Sequence, residues 1–386
     1  MSSPSPLSRP GSVEPSRIST APQAAVSAAP PRSRRGGVAL WVVAVLLVPL
    51  LALLVRYFTG FLGTAATFLG LVLAVIPFVI VWFAVRYIDR WEPEPRRLLV
   101  LAVAWGAIAS VVIALAVDLI VTLVAGRLPD AFSAVVQAPI VEEIAKGLGV
   151  LLIFAFARRA FDGPVDGIVY GALIGAGFAL TENVQYFAIS YLEGGPAQVA
   201  STFFLRAILS PFAHVMFTCL TGFAFGLAAR RGLGVGAALR YGVPGLMGAI
   251  LLHALWNGSA TFADFFEVYA ALQVPLFVLF VLGILALRRE ETRLTRARLG
   301  EYAAAGWFTP QEVEMLATSA GRRSALAWAR TLPGDRTAVM RGFITDVTAL
   351  AAARQRTLSG RDPYAPTTER YLLERTTATR AALLSR

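Results

Sequence analysis

The chain has 386 residues, of which 56% are hydrophobic and only 15% charged. That is too apolar for an ordinary soluble domain and points to several membrane spans. The formal charge of +11 does not indicate nucleic acid, because the arginines flank apolar segments and no basic face is interleaved with aromatics; it reads as topology plus attraction to anionic lipid.

Residues 1–37 are rich in Pro, Ser and Ala and are expected to form a disordered cytoplasmic tail. They lack a signal-peptide pattern, so the first span is expected to act as an uncleaved anchor. Eight apolar stretches follow, at about 38–55, 62–85, 98–125, 131–156, 165–190, 203–229, 240–262 and 266–287. Each is near the ~20 residues that cross ~30 Å of hydrocarbon. The predicted fold is therefore all-α, a polytopic bundle of about eight transmembrane helices over 38–289. Every second loop is basic, through Arg32, Arg34 and Arg35, Arg86 to Arg97, Arg158 and Arg159, Arg230 to Arg240, and Arg288 and Arg289. The intervening loops are short and poor in arginine, such as Glu193-Gly194-Gly195-Pro196. That alternation predicts a multi-pass protein with both termini cytoplasmic. Residues 290–386 read as a soluble cytoplasmic tail, helical or partly disordered, with a capping box at Thr309-Pro310-Gln311-Glu312. The single cysteine, Cys219, excludes an intramolecular disulfide and reads as apolar filler.

Ionisable residues inside the apolar runs are the informative ones, because such groups are costly in hydrocarbon and usually face a bundle interior or a wet cavity. Both histidines of the chain, His214 and His253, lie there, as do its one lysine, Lys146, the pair Glu142 and Glu143, and Glu182. At 1.5 Å rise per residue, Glu142, Glu182, His214 and His253 lie roughly 16, 13, 18 and 15 Å below the outer surface. A common level on four helices predicts one polar chamber shared by the fourth to seventh spans.

Each residue also has a bland reading. Glu142 and Lys146 are i,i+4 and would neutralise each other. Glu143 points about 100° away from Glu142 and needs its own partner, a proton or a metal. A lone intramembrane histidine is more often a packing residue than a ligand, but two at matched depth beside carboxylates reverse that balance. Asn257 shares a face with His253, as Thr218 does with His214, and would orient the imidazole or donate to an oxyanion. Glu182-Asn183 would supply a ligand or a supporting carboxylate. Asp118 suits an interfacial position, and Gly171 with Gly175 suits close helix packing.

Two carboxylates and two imidazoles in a shielded cavity suit water activation. Zinc takes such ligands and keeps a position open for water, and Glu143, His214 and His253 are the candidate ligands. A metal-free route, with a buried glutamate as base and His and Asn holding the oxyanion, uses the same residues. A proton-coupled transporter and a non-catalytic membrane scaffold are the alternative readings. No half-to-half repeat supports the transporter.

The same residues resemble a known family. Glu142-Glu143-Ile144-Ala145-Lys146 is similar to the E-E-x-x-K motif of the PrsW family of intramembrane proteases, and Phe178 to Asn183 is similar to its F-x-x-x-E-N motif. His214 and the run His253 to Asn257 are similar to its two histidine motifs, and Asp89 to Pro95 to its acidic, proline-rich loop. The similarity covers roughly residues 60–290 and extends more distantly to the CAAX prenyl protease and bacteriocin-immunity superfamily. The resemblance implies hydrolysis of a peptide bond in a membrane-anchored protein at a bacterial-type plasma membrane, with an anti-sigma factor as the substrate linked to founding members. It implies Glu142, Glu143, His214 and His253 as the catalytic centre, supported by Lys146, Glu182, Asn183 and Asn257. It leaves metal and glutamate mechanisms both open.

Overall fold

A computed structural model of the chain describes residues 34–385. The tail expected over residues 1–33 lies outside the described residues; residues 34–37, assigned to the same tail, already belong to the first helix. Among the described residues there is no strand. They form two compact units, one ending at Leu285 and the other beginning at Ala286.

In the membrane unit, α1 is Arg34–Phe61 and α2 is Thr64–Ile88. Helix α3 runs Arg96–Ala125 with a π-helical stretch at Trp105–Ser110. Another π-helical stretch, Ser133–Gln137, leads into α4, Ala138–Phe156. Then come α5, Pro164–Phe203, α6, Ala213–Arg230, and α7, Val235–Phe262. A further π-helical stretch, Tyr269–Gln273, precedes α8, Val274–Ala304, whose residues from Ala286 onward belong to the second unit. Among the described residues six helical stretches are long and apolar enough to cross a membrane, so the chain is an all-α multi-pass membrane protein. The expectation of about eight spans also counts residues 131–156, whose Glu142, Glu143 and Lys146 raise their cost in lipid. It also divides Pro164–Arg230, one apolar run by length and composition.

That run is interrupted twice. Gly195 takes φ +64° within α5, a left-handed conformation that glycine adopts without strain, and Pro196 follows. Beyond the π-helical Phe204–Leu209 the backbone leaves helical geometry at Ser210. The Ser210 hydroxyl returns to the Leu205 carbonyl at 2.6 Å, and Pro211 has no N–H to continue the ladder. Helix α6 therefore begins at Ala213. The expected continuous helix over 203–229 is corrected, and His214 lies at a helix start instead of in mid-helix.

Helices α5 and α6 touch backbone to backbone. A Cβ on Gly175 would lie 2.4 Å from the His214 carbonyl oxygen, one on Gly171 2.8 Å from that of Thr218, and one on Gly167 2.0 Å from that of Gly222. The expected packing role of Gly171 and Gly175 is met, and the stripe continues a further turn.

The second unit has its own core, including Leu299, Tyr302, Leu316, Phe343 and Leu350. Its helices are α9, Pro310–Leu316, α10, Ser319–Thr331, α11, Thr337–Ser359, and α12, Ala365–Leu384. The capping box forms as read: Glu312 N–H donates to Thr309 Oγ1 at 3.2 Å and Thr309 N–H to Glu312 Oε2 at 2.7 Å.

Candidate active site

The polar residues of α4 to α7 meet. The imidazoles of His214 and His253 stand 5.1 Å apart, edge to face. Glu143 and Lys146 are fully buried, and Glu142, His214 and His253 are each at most 9% exposed. Helix α4 directs Glu142 and Glu143 to different partners because consecutive helical residues differ by about 100°.

Glu143 is completely engaged. Its Oε1 lies 2.6 Å from Lys146 Nζ and 3.0 Å from His253 Nδ1, and its Oε2 accepts from Thr218 Oγ1 at 3.2 Å. An acceptor on Nδ1 fixes the proton there and leaves His253 Nε2 with a free lone pair, 3.9 Å from Glu142 Oε2. The His253 ring stacks on Phe217 at 4.7 Å.

Lys146 lies closer to Glu143 than to Glu142, whose Oε2 is 3.6 Å away. The ammonium also lies 3.2 Å from His214 Nδ1 and 4.1 Å from the centre of the Phe178 ring. Ammonium groups only donate, so His214 Nδ1 accepts and its Nε2–H donates to Glu182 Oε2 at 2.9 Å. Both nitrogens of His214 are thus occupied. Glu142 Oε2, by contrast, is buried with no hydrogen-bond partner.

Two cavities flank this cluster. One of about 460 Å3 is lined by Asp118, Gln137, Glu142, Phe178, Glu182 and Tyr186 among others. The other, of about 380 Å3, is lined by Glu182, Asn183, Arg206, His214, His253 and Asn257 among others. Glu182 and Tyr186 face both; Glu143 faces neither.

Several sequence expectations take a different form. Asn257 donates its amide to the Ala134 carbonyl at 2.8 Å, so it ties α7 to the π-helical stretch before α4 instead of orienting His253. Thr218 serves Glu143, not His214. Asp118 accepts from Gln137 Nε2 at 3.2 Å in an exposed position. Cys219 is buried, with its thiol 3.4 Å from the Ile168 carbonyl. Arg206 was not anticipated: it pairs with Glu182 and donates from Nε to Asn183 Oδ1 at 2.6 Å. A signal existed, since Arg206 is a lone charge between Thr202 and Pro211 in an apolar stretch. Trp105 was also missed; its indole N–H donates to the Ala145 carbonyl at 3.0 Å and its ring fills the space beside Gly149.

The Glu142, His214 and His253 donors lie within 4.8 Å of one another, a group able to hold a metal ion. One carboxylate oxygen and two imidazole nitrogens make a donor set that zinc accepts, and a buried Glu142 oxygen that makes no hydrogen bond fits a ligand. The group differs from the expected trio in having Glu142 where Glu143 was named, because the Glu143 oxygens are taken by Lys146, His253 and Thr218.

Residues 94–284, just under half the chain, match the family model described as PrsW family intramembrane metalloprotease. The membrane unit carries a PrsW-family region. Curated proteins named Protease PrsW are similar to it. That of Clostridioides difficile strain 630 is 33% identical over 153 residues, 39% of this chain and 62% of the relative. That of Geobacillus kaustophilus strain HTA426 is 30% identical over 142 residues, 36% of this chain and 58% of the relative. The Bacillus subtilis strain 168 protein is 37% identical over 79 residues, 20% of this chain and 33% of the relative. The chain thus matches about three-fifths of the length of the first two. No solved structure matches it. All six candidate site carboxylate, imidazole and ammonium groups fall inside the PrsW match, whereas the second unit falls outside it.

Proposed function

We propose that this chain is an intramembrane protease that activates water to hydrolyse a peptide bond in a membrane-anchored protein, with an anti-sigma factor as the substrate the resemblance suggests. The observation that carries the reading is Glu142 Oε2. It is buried, has no hydrogen-bond partner, faces a cavity and stands beside a histidine nitrogen held free by Glu143. The PrsW match supplies the reaction class. In this reading the chain crosses the membrane eight times with both termini cytoplasmic, as the alternating arginine-rich loops favour.

Glu142, His214 and His253 would hold a metal, with zinc the ion their donor types suit best. Bound zinc supplies a Lewis acid that polarises a carbonyl and makes water acidic enough to attack near neutral pH. The protein residues do the rest. Glu143 accepts from His253 Nδ1–H and so directs Nε2 at Glu142, the carboxylate–histidine arrangement that orients metal ligands. Lys146 and Glu182 hold His214 through both nitrogens, and His214 would give up one of these two hydrogen bonds to serve as a ligand. Buried as they are, these groups act in a low-dielectric setting where each charge has more effect than in water. Without a metal, Glu142 is the carboxylate free to take a proton from water.

The test is cleavage of a co-expressed single-span substrate. Glu142→Gln and His253→Ala are each expected to lower the rate at least about a hundredfold, in the range of losing a general base or a ligand. Parent-rate cleavage by both variants refutes the reading. pH-driven flux without cleavage anywhere would instead mark a transporter.

A further inference from the structure

Arg206 stands on the segment joining α5 to α6, eight residues before His214. Its guanidinium reaches back to two consecutive residues of α5. Nη2 pairs with Glu182 Oε2 and Nε donates to Asn183 Oδ1 at 2.6 Å. Its Cζ lies 3.9 Å above the Tyr186 ring, one turn further along the same helix. The Glu182 oxygen that receives Arg206 is the one that accepts His214 Nε2–H. Arg206 therefore touches His214 through a single intervening atom.

Glu182 has room to move, since cavities of about 460 and 380 Å3 open on its two sides. A carboxylate between two open spaces keeps one rotamer only if something fixes it. A planar fork that bonds both Glu182 and Asn183 does so, and the π contact with Tyr186 fixes the plane of the fork. The segment carrying it is anchored by the Ser210 hydroxyl on the Leu205 carbonyl, 2.6 Å away. Fixing Glu182 in turn fixes the proton of His214 on Nε2 and turns its Nδ1 lone pair to Lys146. Lys146 on Nδ1 and Glu182 on Nε2 thus choose the tautomer of His214 together, and Arg206 holds the Glu182 half of that pair.

We propose that Arg206 is a positioning residue, which clamps Glu182 against His214 and thereby sets the tautomer and direction of that imidazole for the reaction. The role in catalysis rests on the protease reading above; the effect on the imidazole does not. Lysine cannot replace the arginine, because one ammonium on a flexible stem does not span Glu182 and Asn183 together.

The chain has only two histidines, so [15N]histidine spectra of the full-length protein in detergent micelles, with His253→Gln for assignment, read the His214 tautomer directly. The parent is expected to show one His214 species protonated on Nε2. Arg206→Ala and Arg206→Lys should both show tautomer averaging at His214 while leaving His253 as in the parent. In the cleavage assay, both variants should lower kcat about 10- to 100-fold with KM within about twofold, the usual cost of losing a supporting contact of this kind. Added guanidinium should restore part of the rate to Arg206→Ala and none to Glu182→Gln. A purely structural ion pair would be largely rescued by lysine and would leave the spectrum alone. Parent-like His214 signals in the arginine variants overturn the proposal, as does an unchanged kcat in a parent that cleaves. If Arg206→Ala does not fold, the lysine variant decides by the same two readouts. A parent that cleaves nothing removes the protease reading, and the spectra still judge Arg206.

Discussion

Glu143 has both oxygens committed to neighbours, whereas Glu142 leaves one buried oxygen without a hydrogen bond. Removing the charge of Glu143 takes away the nearer carboxylate of the fully buried Lys146 and leaves only Glu142 at 3.6 Å, and breaking a buried ion pair costs about 3–5 kcal/mol. Glu142→Gln removes no hydrogen bond to that oxygen and only the longer 3.6 Å contact with Lys146, so it is expected to cost less than Glu143→Gln. Both variants should lose cleavage, but thermal melts should separate them: Glu143→Gln melts well below the parent and Glu142→Gln close to it. Equal melting points would refute this division of labour. A second residue-scale expectation concerns the loop between α2 and α3. Burial pushes the Asp89 carboxyl up to about 6, against the lowering effect of the Glu94 backbone N–H and Arg86. Burial also holds Glu94 well above the usual carboxylate range; the nearby Asp166 adds to this, while the Tyr170 hydroxyl, 2.6 Å away, opposes it. A raised folded value means that the protonated form is favoured on folding, so its contribution is present at low pH and is lost as pH rises through that value. Glu94→Gln cannot ionise and keeps an oxygen for Tyr170. The melting point of this variant relative to the parent should therefore rise between pH 5 and pH 8, and a pH-independent difference would contradict the assignment.

At the scale of elements, the site depends on how closely α5 and α6 approach. Gly175→Ala would push a methyl to 2.4 Å from the His214 carbonyl oxygen, which must move the backbone that carries the imidazole. The expected cost is about 1–3 kcal/mol, with loss of cleavage out of proportion to the loss of fold. Gly236→Ala in α7 meets nothing within 4 Å and should be neutral or slightly stabilising, since alanine is the better helix former. Purified protein of each variant, compared by melting point and cleavage rate, checks the pair; a harmless Gly175→Ala would refute the packing argument. The sequence made the helices legible because apolar length and flanking arginines are strong signals. It made the gathering of Glu142, Glu143, Glu182, His214 and His253 legible because charge in an apolar run has few places to go. The interruption at Ser210 was hidden, as the apolar character continues through it and only Pro211 hints at it. The choice of Glu142 over Glu143 as the open carboxylate depends on which side chain reaches Thr218 and Lys146, a matter of helix rotation that spacing does not encode. Arg206 was readable by the same rule as the histidines and was overlooked because it lay near an expected span end.

For the molecule as a whole, the metal question has a direct measurement. Protein purified without chelator should contain close to one zinc per chain, lost together with cleavage on chelation and regained with added zinc. An active sample holding less than about one-tenth of an equivalent would exclude zinc. The second unit lies outside the PrsW match and has its own core. Its alternation of Ala and Leu with Arg hinted at helices but not at a packed interior, because the buried residues come from five separate helical segments. The glycine contacts between α5 and α6 carry a last consequence. Backbone oxygens seated against Gly167, Gly171 and Gly175 leave no room for a side chain at any of the three positions, so the two helices are held in direct backbone contact. Parting them would forfeit that contact along three turns. On the protease reading, the expected way in for a peptide is instead the pair of hollows that Tyr186 borders.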